Sequence, residues 1–349
     1  MRPARTRITM ADVARDAGVS TTTVSHVING TRRVDDATRD RVLNSISTLK
    51  YHHNQVARSL ATRVTGTIGV VIEEIVNPLF PPALEGVERE AAKLGYSVIA
   101  CGAPDFESER RALATLQEKR VDGVILVSLS LPRKHDHLRD LRSDGVPVVA
   151  VNRYPHNPDI DFFYFDYAGG TAVATDHLLQ LGRRRLAHLA GPLSGPRTRP
   201  SAVERLAGFR HALESEDLPF ERRLVVESDY GYESALVAAR TLLATNPLPT
   251  GVVAWNDISA LAVLRAAQER GMTVPADLAV VAIGDEPFAT CATPSLTAAR
   301  LPAREAGILA ARLIDRLVRE GSIEPQCVVL PCQLVIRESC GAKLNGRSN

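Results

Sequence analysis

Thr21, Thr22, Ser25 and His26 fall within six residues, carry hydroxyl or imidazole groups, and have no carboxylate among them. On one helix they would form a small polar face that donates and accepts hydrogen bonds without repelling phosphate. The major groove of duplex DNA admits a single helix and shows a distinct donor and acceptor pattern for each base pair. Reading base edges is the chemistry such a face suits.

The flanking residues supply the means to hold that helix. Thr9 stands three residues before Asp12, a capping-box spacing, and Val13, Ala14 and Ala17 follow at helical intervals. Gly18 is placed to end the helix in the left-handed conformation that glycine adopts without steric cost. Ser20 then caps a second helix, in which Val24, Val27 and Ile28 point inward and the four polar residues outward. Two surface helices of an ordinary core would share this pattern.

Charge distribution favours nucleic acid. Residues 1–65 hold 11 Lys or Arg against 5 Asp or Glu, whereas the whole chain of 349 residues has a formal charge of only +2. A basic head on a mildly acidic body matches a nucleic-acid-binding module joined to a second part, with a solvated basic face as the alternative. The five cysteines are scattered, with no CxxC pair or nearby histidines at zinc spacing, which predicts a reduced, cytoplasmic chain. The basic N-terminus is followed by Asp12, Arg15 and Asp16 where a signal peptide needs its apolar run. The apolar stretch 124–131 contains two serines and is too short to span a bilayer.

Catalytic signatures are missing: there is no Gly-x-Ser-x-Gly elbow, no Walker lysine loop and no HExxH. His135-Asp136-His137 has metal-ligating residue types, but alternating residues on a helix face apart. No cofactor is expected.

From residue 67 onward, short β-rich runs alternate with amphipathic helices. Strands are predicted at 67–72, 97–101, 123–127 and 147–151, and again at 186–190, 224–226, 251–255 and 278–283. Helices are predicted near 79–94, 108–120, 134–143, 168–181, 202–215, 232–245 and 257–270. This alternation implies parallel sheets with helices on both faces. Its repetition implies an α/β body of two lobes with a cleft at the carboxyl ends of the strands, where doubly wound sheets place ligands.

The residues after the second helix narrow the choice. Asn29-Gly30 and Arg32-Arg33-Val34-Asp35 lead to a third helix, capped by Asp35, with Val42, Ile46 and Leu49 on one face. Asn54 to Ala61 then read Asn-Gln-Val-Ala-Arg-Ser-Leu-Ala. Further on come Asn77-Pro78-Leu79-Phe80, Val121-Asp122-Gly123-Val124-Ile125, Gly208-Phe209, Ala254-Trp255-Asn256-Asp257 and Val335-Ile336-Arg337-Glu338-Ser339. In this order the chain resembles the lactose-repressor (LacI) family over nearly its whole length.

The resemblance implies a helix-turn-helix headpiece at 1–53, a hinge helix and linker at 54–65, and a bilobed periplasmic-binding-protein-like body at 66–340, followed by a tail at 341–349. Lobe 1 would comprise about 66–163 and 297–325, and lobe 2 about 164–296 and 326–340, with a helix near 303–320 and a return to lobe 2 for 328–336. Thr21, Thr22, Ser25, His26 and Asn29 would contact DNA. A hinge helix of eight residues is marginal alone in water, and in the family it orders on DNA in a dimer. Leu60, beside Val56 and Ala57, would wedge into the minor groove, so Ala57 and Leu60 join the DNA-binding set. The implied partners are a palindromic operator, a small-molecule effector and a second copy of the chain, without a membrane.

For the effector cleft the resemblance implies Leu79, Phe80, Asn152, Arg205, Tyr230, Asn256 and Asp285. Leu79 and Phe80 would wall the pocket and Tyr230 would stack on a ring. Arg205, with five donors in a fixed fork, and Asn256, with donor and acceptor, would orient a polyol. Four departures stand out. Gly284-Asp285 replaces two adjacent aspartates, so the carboxylate that usually meets the ligand is missing, and Asn152 replaces a frequent aspartate. Both predict a less acidic pocket, tilted toward anionic or weakly polar ligands such as sugar phosphates, acids or modified sugars, with neutral oligosaccharides as an alternative. His26 stands where arginine is frequent, and His53 replaces a proline ahead of the hinge. Fewer than a dozen residues follow Ser339, without a leucine heptad, so a tetramer built by a C-terminal helix is not expected.

The expected function is a sequence-specific transcription regulator, acting by repression under control of a sugar or sugar derivative. A periplasmic-type binding protein and an enzyme on the same body are the rivals.

Overall fold

The computed structural model describes residues 8–29, 32–51, 64–73, 77–127, 136–152, 160–195, 198–321 and 324–342. Ala57 and Leu60, with the rest of the hinge helix, lie outside the described residues, as does His135. The chain divides into two compact units, Met1–Thr65 and Gly66–Asn349.

The first unit holds α1 (Met10–Ala17), α2 (Thr21–Asn29) and α3 (Asp36–Thr48). The backbone amide of Asp12 donates to the Thr9 hydroxyl at 3.3 Å while the Thr9 amide donates to the Asp12 carboxylate at 2.9 Å, which closes the capping box. Gly18 follows at φ 65°, ψ 38°, a left-handed turn that sends the chain into α2. Ser20 Oγ accepts from the Thr23 amide at 3.0 Å, and Asp35 accepts from the Thr38 amide at 2.9 Å at the start of α3. Helices this short are marginal singly. They share one core in which Val13, Val24 and Val42 are fully buried, with Val27, Ile28, Ile46 and Leu49 packed around them.

The second unit begins with β1 (Thr67–Ile72), α4 (Phe80–Leu94), β2 (Ser97–Gly102), α5 (Phe106–Glu118) and β3 (Gly123–Val127). It continues with α6 (Asp136–Ser143), β4 (Val148–Val151) and β5 (Asp161–Phe165). The second half runs α7 (Tyr167–Gln180), β6 (Leu186–Ala190), α8 (Pro200–Ser215), β7 (Val225–Glu227), α9 (Tyr232–Leu243), β8 (Gly251–Ala254) and α10 (Asp257–Glu269). Then come β9 (Ala279–Gly284), α11 (Pro287–Cys291), β10 (Thr297–Arg300), α12 (Ala303–Glu320), β11 (Cys327–Leu330) and β12 (Gln333–Val335).

Among the described residues these strands make two six-stranded sheets, ordered β11-β5-β4-β3-β1-β2 and β12-β10-β9-β8-β6-β7. All neighbours are parallel except β10 and β12. The inner strands are apolar on both faces because both are covered, whereas the edge strands β2, β11 and β12 are partly exposed. In β1, Ile68, Val70 and Ile72 pack with Phe80, Ala83 and Val87 of α4, while Val71 packs with Leu113 and Leu116 of α5.

The chain passes between lobes three times, and two of those crossings differ from expectation. Thr297–Arg300 is not part of lobe 1: it pairs in parallel with β9 in the second sheet, Thr297 opposite Val281 and Arg300 opposite Gly284. Only then does the chain return to lobe 1 as α12, which crosses α4 so closely that a Cβ on Gly86 or Gly307 would lie 2.1 Å from a carbonyl oxygen of the other helix. Conversely, Cys327–Leu330 belongs to lobe 1, alongside β5, and only Gln333–Val335 joins lobe 2. A strand's composition marks it as buried but does not say which of two equally apolar sheets will take it. Strands β5 and β10 are themselves additions to the predicted set.

Candidate functional site

Between the lobes lies a cavity of about 290 Å³. Lobe 1 lends Asn77, Pro78 and Leu79, from the turn that precedes α4. Lobe 2 lends the start of α7 (Tyr167), the first turns of α8 (Ser201 and Arg205) and the ends of β8 and β9 with the loops that follow them. These are carboxyl ends of parallel strands and the starts of the helices after them, the usual ligand crevice of a doubly wound sheet.

Arg205 is 5 % exposed, with its guanidinium carbon 3.9 Å from the Tyr167 ring centroid and 5.8 Å from that of Trp255. Its Nη1 donates to the Ser201 carbonyl at 3.0 Å, and its buried Nε has no partner among the described residues. Trp255 is 2 % exposed and packs against Tyr230, ring centroids 4.7 Å apart at 58°; its indole Nε1 is likewise buried and unpaired among the described residues. Two donors are therefore buried and unpaired on side chains that line the cavity, an arrangement that costs stability unless a ligand or water completes it.

The predicted cleft residues divide into two groups. Leu79, Arg205, Tyr230 and Asn256 line the cavity together. Asn256 also caps α10, its side-chain oxygen accepting from the Ser259 amide at 2.7 Å, so only its NH2 is left for a ligand. Phe80, Asn152 and Asp285 do not line it. Phe80, 1 % exposed, points into the lobe 1 core because α4 starts there and turns it under β1. Asn152, at φ 59° and 2 % exposed, stands behind the wall and accepts a 2.7 Å hydrogen bond from the Tyr167 hydroxyl. It therefore holds the ring on which Arg205 lies. Asp285 is held by Arg300, whose Nε donates to it at 2.7 Å, and by Arg337, whose Nη2 makes a 2.6 Å ion pair without hydrogen-bond geometry.

The expectation of a less acidic cavity is overturned. Gly284 has no side chain, but a Cβ there would fall 1.7 Å from Asp257 Oδ2: the neighbouring carboxylate already occupies the place. Asp257 is buried, accepts from the Asp285 amide at 3.0 and 3.1 Å and from the Glu286 amide at 3.5 Å, and is pushed up to about 6 by burial. Glu286 also lines the cavity, and burial, followed by the charges of Asp257 and Asp285, pushes its carboxyl up to about 8. Sequence reasoning missed Tyr167, Trp255 and Glu286. Trp255 precedes Asn256 at the end of a predicted strand, and Glu286 follows closely on Gly284, so position relative to the strand ends was the available signal.

Near the cavity the lobes are bridged by Glu73, at the end of β1, and Arg199, just before α8, with Nη2 3.2 Å from Oε1. Among the described residues no group of three His, Cys, Asp or Glu could hold a metal ion. His137 Nε2 instead lies 2.8 Å from Glu109 Oε1. No helix among the described residues is long and apolar enough to cross a membrane.

In the headpiece Thr21 and Thr22 are exposed, Ser25 and His26 are half-buried, and Val24 is fully buried on the opposite side of α2. Asn29 ends that helix.

Comparison with known proteins places both units. Residues 9–54 match the model of bacterial regulatory proteins of the lacI family, and residues 175–340 match a periplasmic binding protein-like domain. The ribose operon repressor of Halalkalibacterium halodurans is 33 % identical over 332 residues, which is 95 % of this chain and 96 % of that protein. Among solved structures, the transcriptional regulator CelR in complex with cellobiose is 33 % identical with a TM-score of 0.70, over 95 % of this chain and all of that one. The lac repressor dimer bound to operator and the anti-inducer ONPF is 28 % identical with a TM-score of 0.80, over 96 % of this chain and all of that one. Headpiece, bilobed body and full-length likeness agree, and the chain belongs to the lacI family of bacterial regulatory proteins, DNA-binding regulators of transcription.

Proposed function

We propose that the protein is a cytoplasmic repressor that binds a two-fold-symmetric operator as a homodimer and is switched by a sugar or sugar derivative in the interlobe cavity. The observation that carries this reading is the cavity itself: Arg205 and Trp255, each with a buried unpaired donor, line an aromatic-walled space between two lobes, in a chain that also has a helix-turn-helix headpiece. The likeness to a regulator solved with cellobiose supports a sugar-sized ligand. A binder rather than a catalyst is the reading the site favours, since its polar groups surround the ligand space without a nucleophile and base in contact.

DNA contact is assigned to Thr21, Thr22, Ser25, His26 and Asn29, with Ala57 and Leu60 acting from the hinge. A ligand that prefers one lobe arrangement disfavours the other, and the same free energy reappears as a change in operator affinity. Selection from random duplex DNA with the full-length protein tests this: it should return an inverted repeat, and binding should weaken steeply with salt as headpiece arginines displace counterions. Recovery of no symmetric site would refute the reading.

His26 offers a sharper test within the headpiece. Thr21 and Thr22 sit at the start of α2 and His26 lies a turn further on, so it is assigned an outer base pair of the half-site. His26→Arg should shift preference there toward guanine by about 1 to 3 kcal/mol, through a bidentate contact that imidazole cannot make. An unchanged preference matrix would remove His26 from the base-reading set.

A further inference from the structure

The polar groups of the cavity are mostly spent on the protein itself. Asp257 is committed to backbone amides, Asn256 Oδ1 to the α10 cap, and the Asn77 side chain to the Leu79 amide at 3.1 Å. Besides the Asn256 NH2 and the buried Tyr230 hydroxyl, three groups remain open among the described residues. Arg205 Nε and Trp255 Nε1, both on side chains more than nine-tenths buried, are donors without acceptors. Glu286 is an acceptor with no cation and no side-chain hydrogen bond among the described residues. Arg300 and Arg337 are both paired with the neighbouring Asp285.

We propose that the cavity selects amino sugars, ring compounds whose protonated amine is received by Glu286 while ring and hydroxyl oxygens accept from Arg205 Nε and Trp255 Nε1. The proposal rests on reading the cavity as the effector site, and it names the ligand class. Such a ligand satisfies each of these groups, whereas an anionic one would serve the two donors and leave Glu286 without a cation. A phosphate or carboxylate near Glu286 would meet three carboxyl groups: Glu286, Asp257 and Asp285. An ammonium there relieves their mutual repulsion, and a charge-assisted bond forms where water is scarce. The aromatic wall works in the same direction, because the faces of Trp255, Tyr230 and Phe288 attract cations while packing against the apolar face of a sugar ring. Burial and the neighbouring carboxylates push the empty site's Glu286 carboxyl up to about 8, and a bound ammonium would draw it back down.

Matched pairs of probes test this on the full-length protein by calorimetry at mildly acidic pH, where the amine carries its proton: D-glucosamine against D-glucose, and fully deacetylated chitobiose against cellobiose. Members of a pair differ by ammonium in place of hydroxyl. The amine of at least one pair should bind roughly tenfold more tightly than its partner. Glu286→Gln, which keeps the shape of the side chain and removes the charge, should reduce that preference to about twofold or less. The preference is read as the ratio of the two affinities for the same protein, so a general loss of cavity binding in the variant cancels. The inference is overturned if neither amine binds, if hydroxyl members bind as well as amines, or if the preference survives Glu286→Gln. A parallel titration of DNA carrying the selected inverted repeat separates the two layers. Amine binding that leaves DNA affinity unchanged would overturn the effector reading and leave the role of Glu286 standing. Ligand-controlled DNA binding without amine preference would overturn the role of Glu286 alone.

Discussion

Effector binding is expected to fall about ten- to a hundredfold when Arg205 is replaced by alanine, because a charged hydrogen-bond donor contributes about 1.5–3 kcal/mol. The guanidinium is the cavity's buried cation, laid over Tyr167 and anchored to the Ser201 carbonyl, so its free Nε points where the fold has fixed it. Preorganisation of this kind means little entropy is lost when a ligand oxygen arrives. Arg205→Lys should recover only part of the loss, since an ammonium keeps the charge but cannot stack as a planar fork or hold Ser201 and a ligand together. For an inducer, effector-free DNA binding should be nearly intact in the alanine variant; for a corepressor, it should drop only when ligand is present. Calorimetry with the tightest-binding sugar checks the first part, and an alanine variant with unchanged affinity would take Arg205 out of the site.

Much of this architecture was legible because it is written in short-range physics. The Thr9–Asp12 box, the Gly18 turn, and the Ser20 and Asp35 caps each involve residues a few positions apart, and each formed as spacing predicted. Buried strands such as 67–72 and 123–127 were marked by unbroken β-branched and apolar runs. Strand partnership was not legible: 297–300 and 327–330 were assigned to the wrong lobes because both sheets offer the same apolar edge. In the cavity, resemblance located the elements but not the direction of each side chain. Phe80 is turned inward by the start of its helix, Asn152 is one residue removed from the wall, and Asp285 is drawn off by two arginines. Glu286, rather than Asp285, lines the cavity. The hinge residues Ala57 and Leu60 lie outside the described residues, so their assignment rests on sequence resemblance.

The largest effect on stability is expected at Gly284, where the addition of one methyl group should cost about 3 kcal/mol or more. The reason is spatial: the Cβ of Gly284→Ala would fall 1.7 Å from Asp257 Oδ2, far inside contact distance, so the carboxylate must move. It cannot move without giving up its bonds to the Asp285 and Glu286 amides, which have no water to turn to at a side chain 2 % exposed. Overpacking alone costs about 1–3 kcal/mol, and leaving a buried donor unpaired adds about 1–3 more. The gap in the aspartate pair is thus not an empty corner of the pocket: a carboxylate restored at 284 would collide with Asp257. Denaturant unfolding followed by the fluorescence of Trp255, the chain's single tryptophan, reads the loss. Asp257→Gly should also destabilise, by stranding the two amides, but the double variant should be more stable than the sum of the two losses predicts, by about 1–3 kcal/mol, because the collision is gone. Strict additivity, or a cost for Gly284→Ala below about 0.5 kcal/mol, would show that Asp257 does not occupy that space.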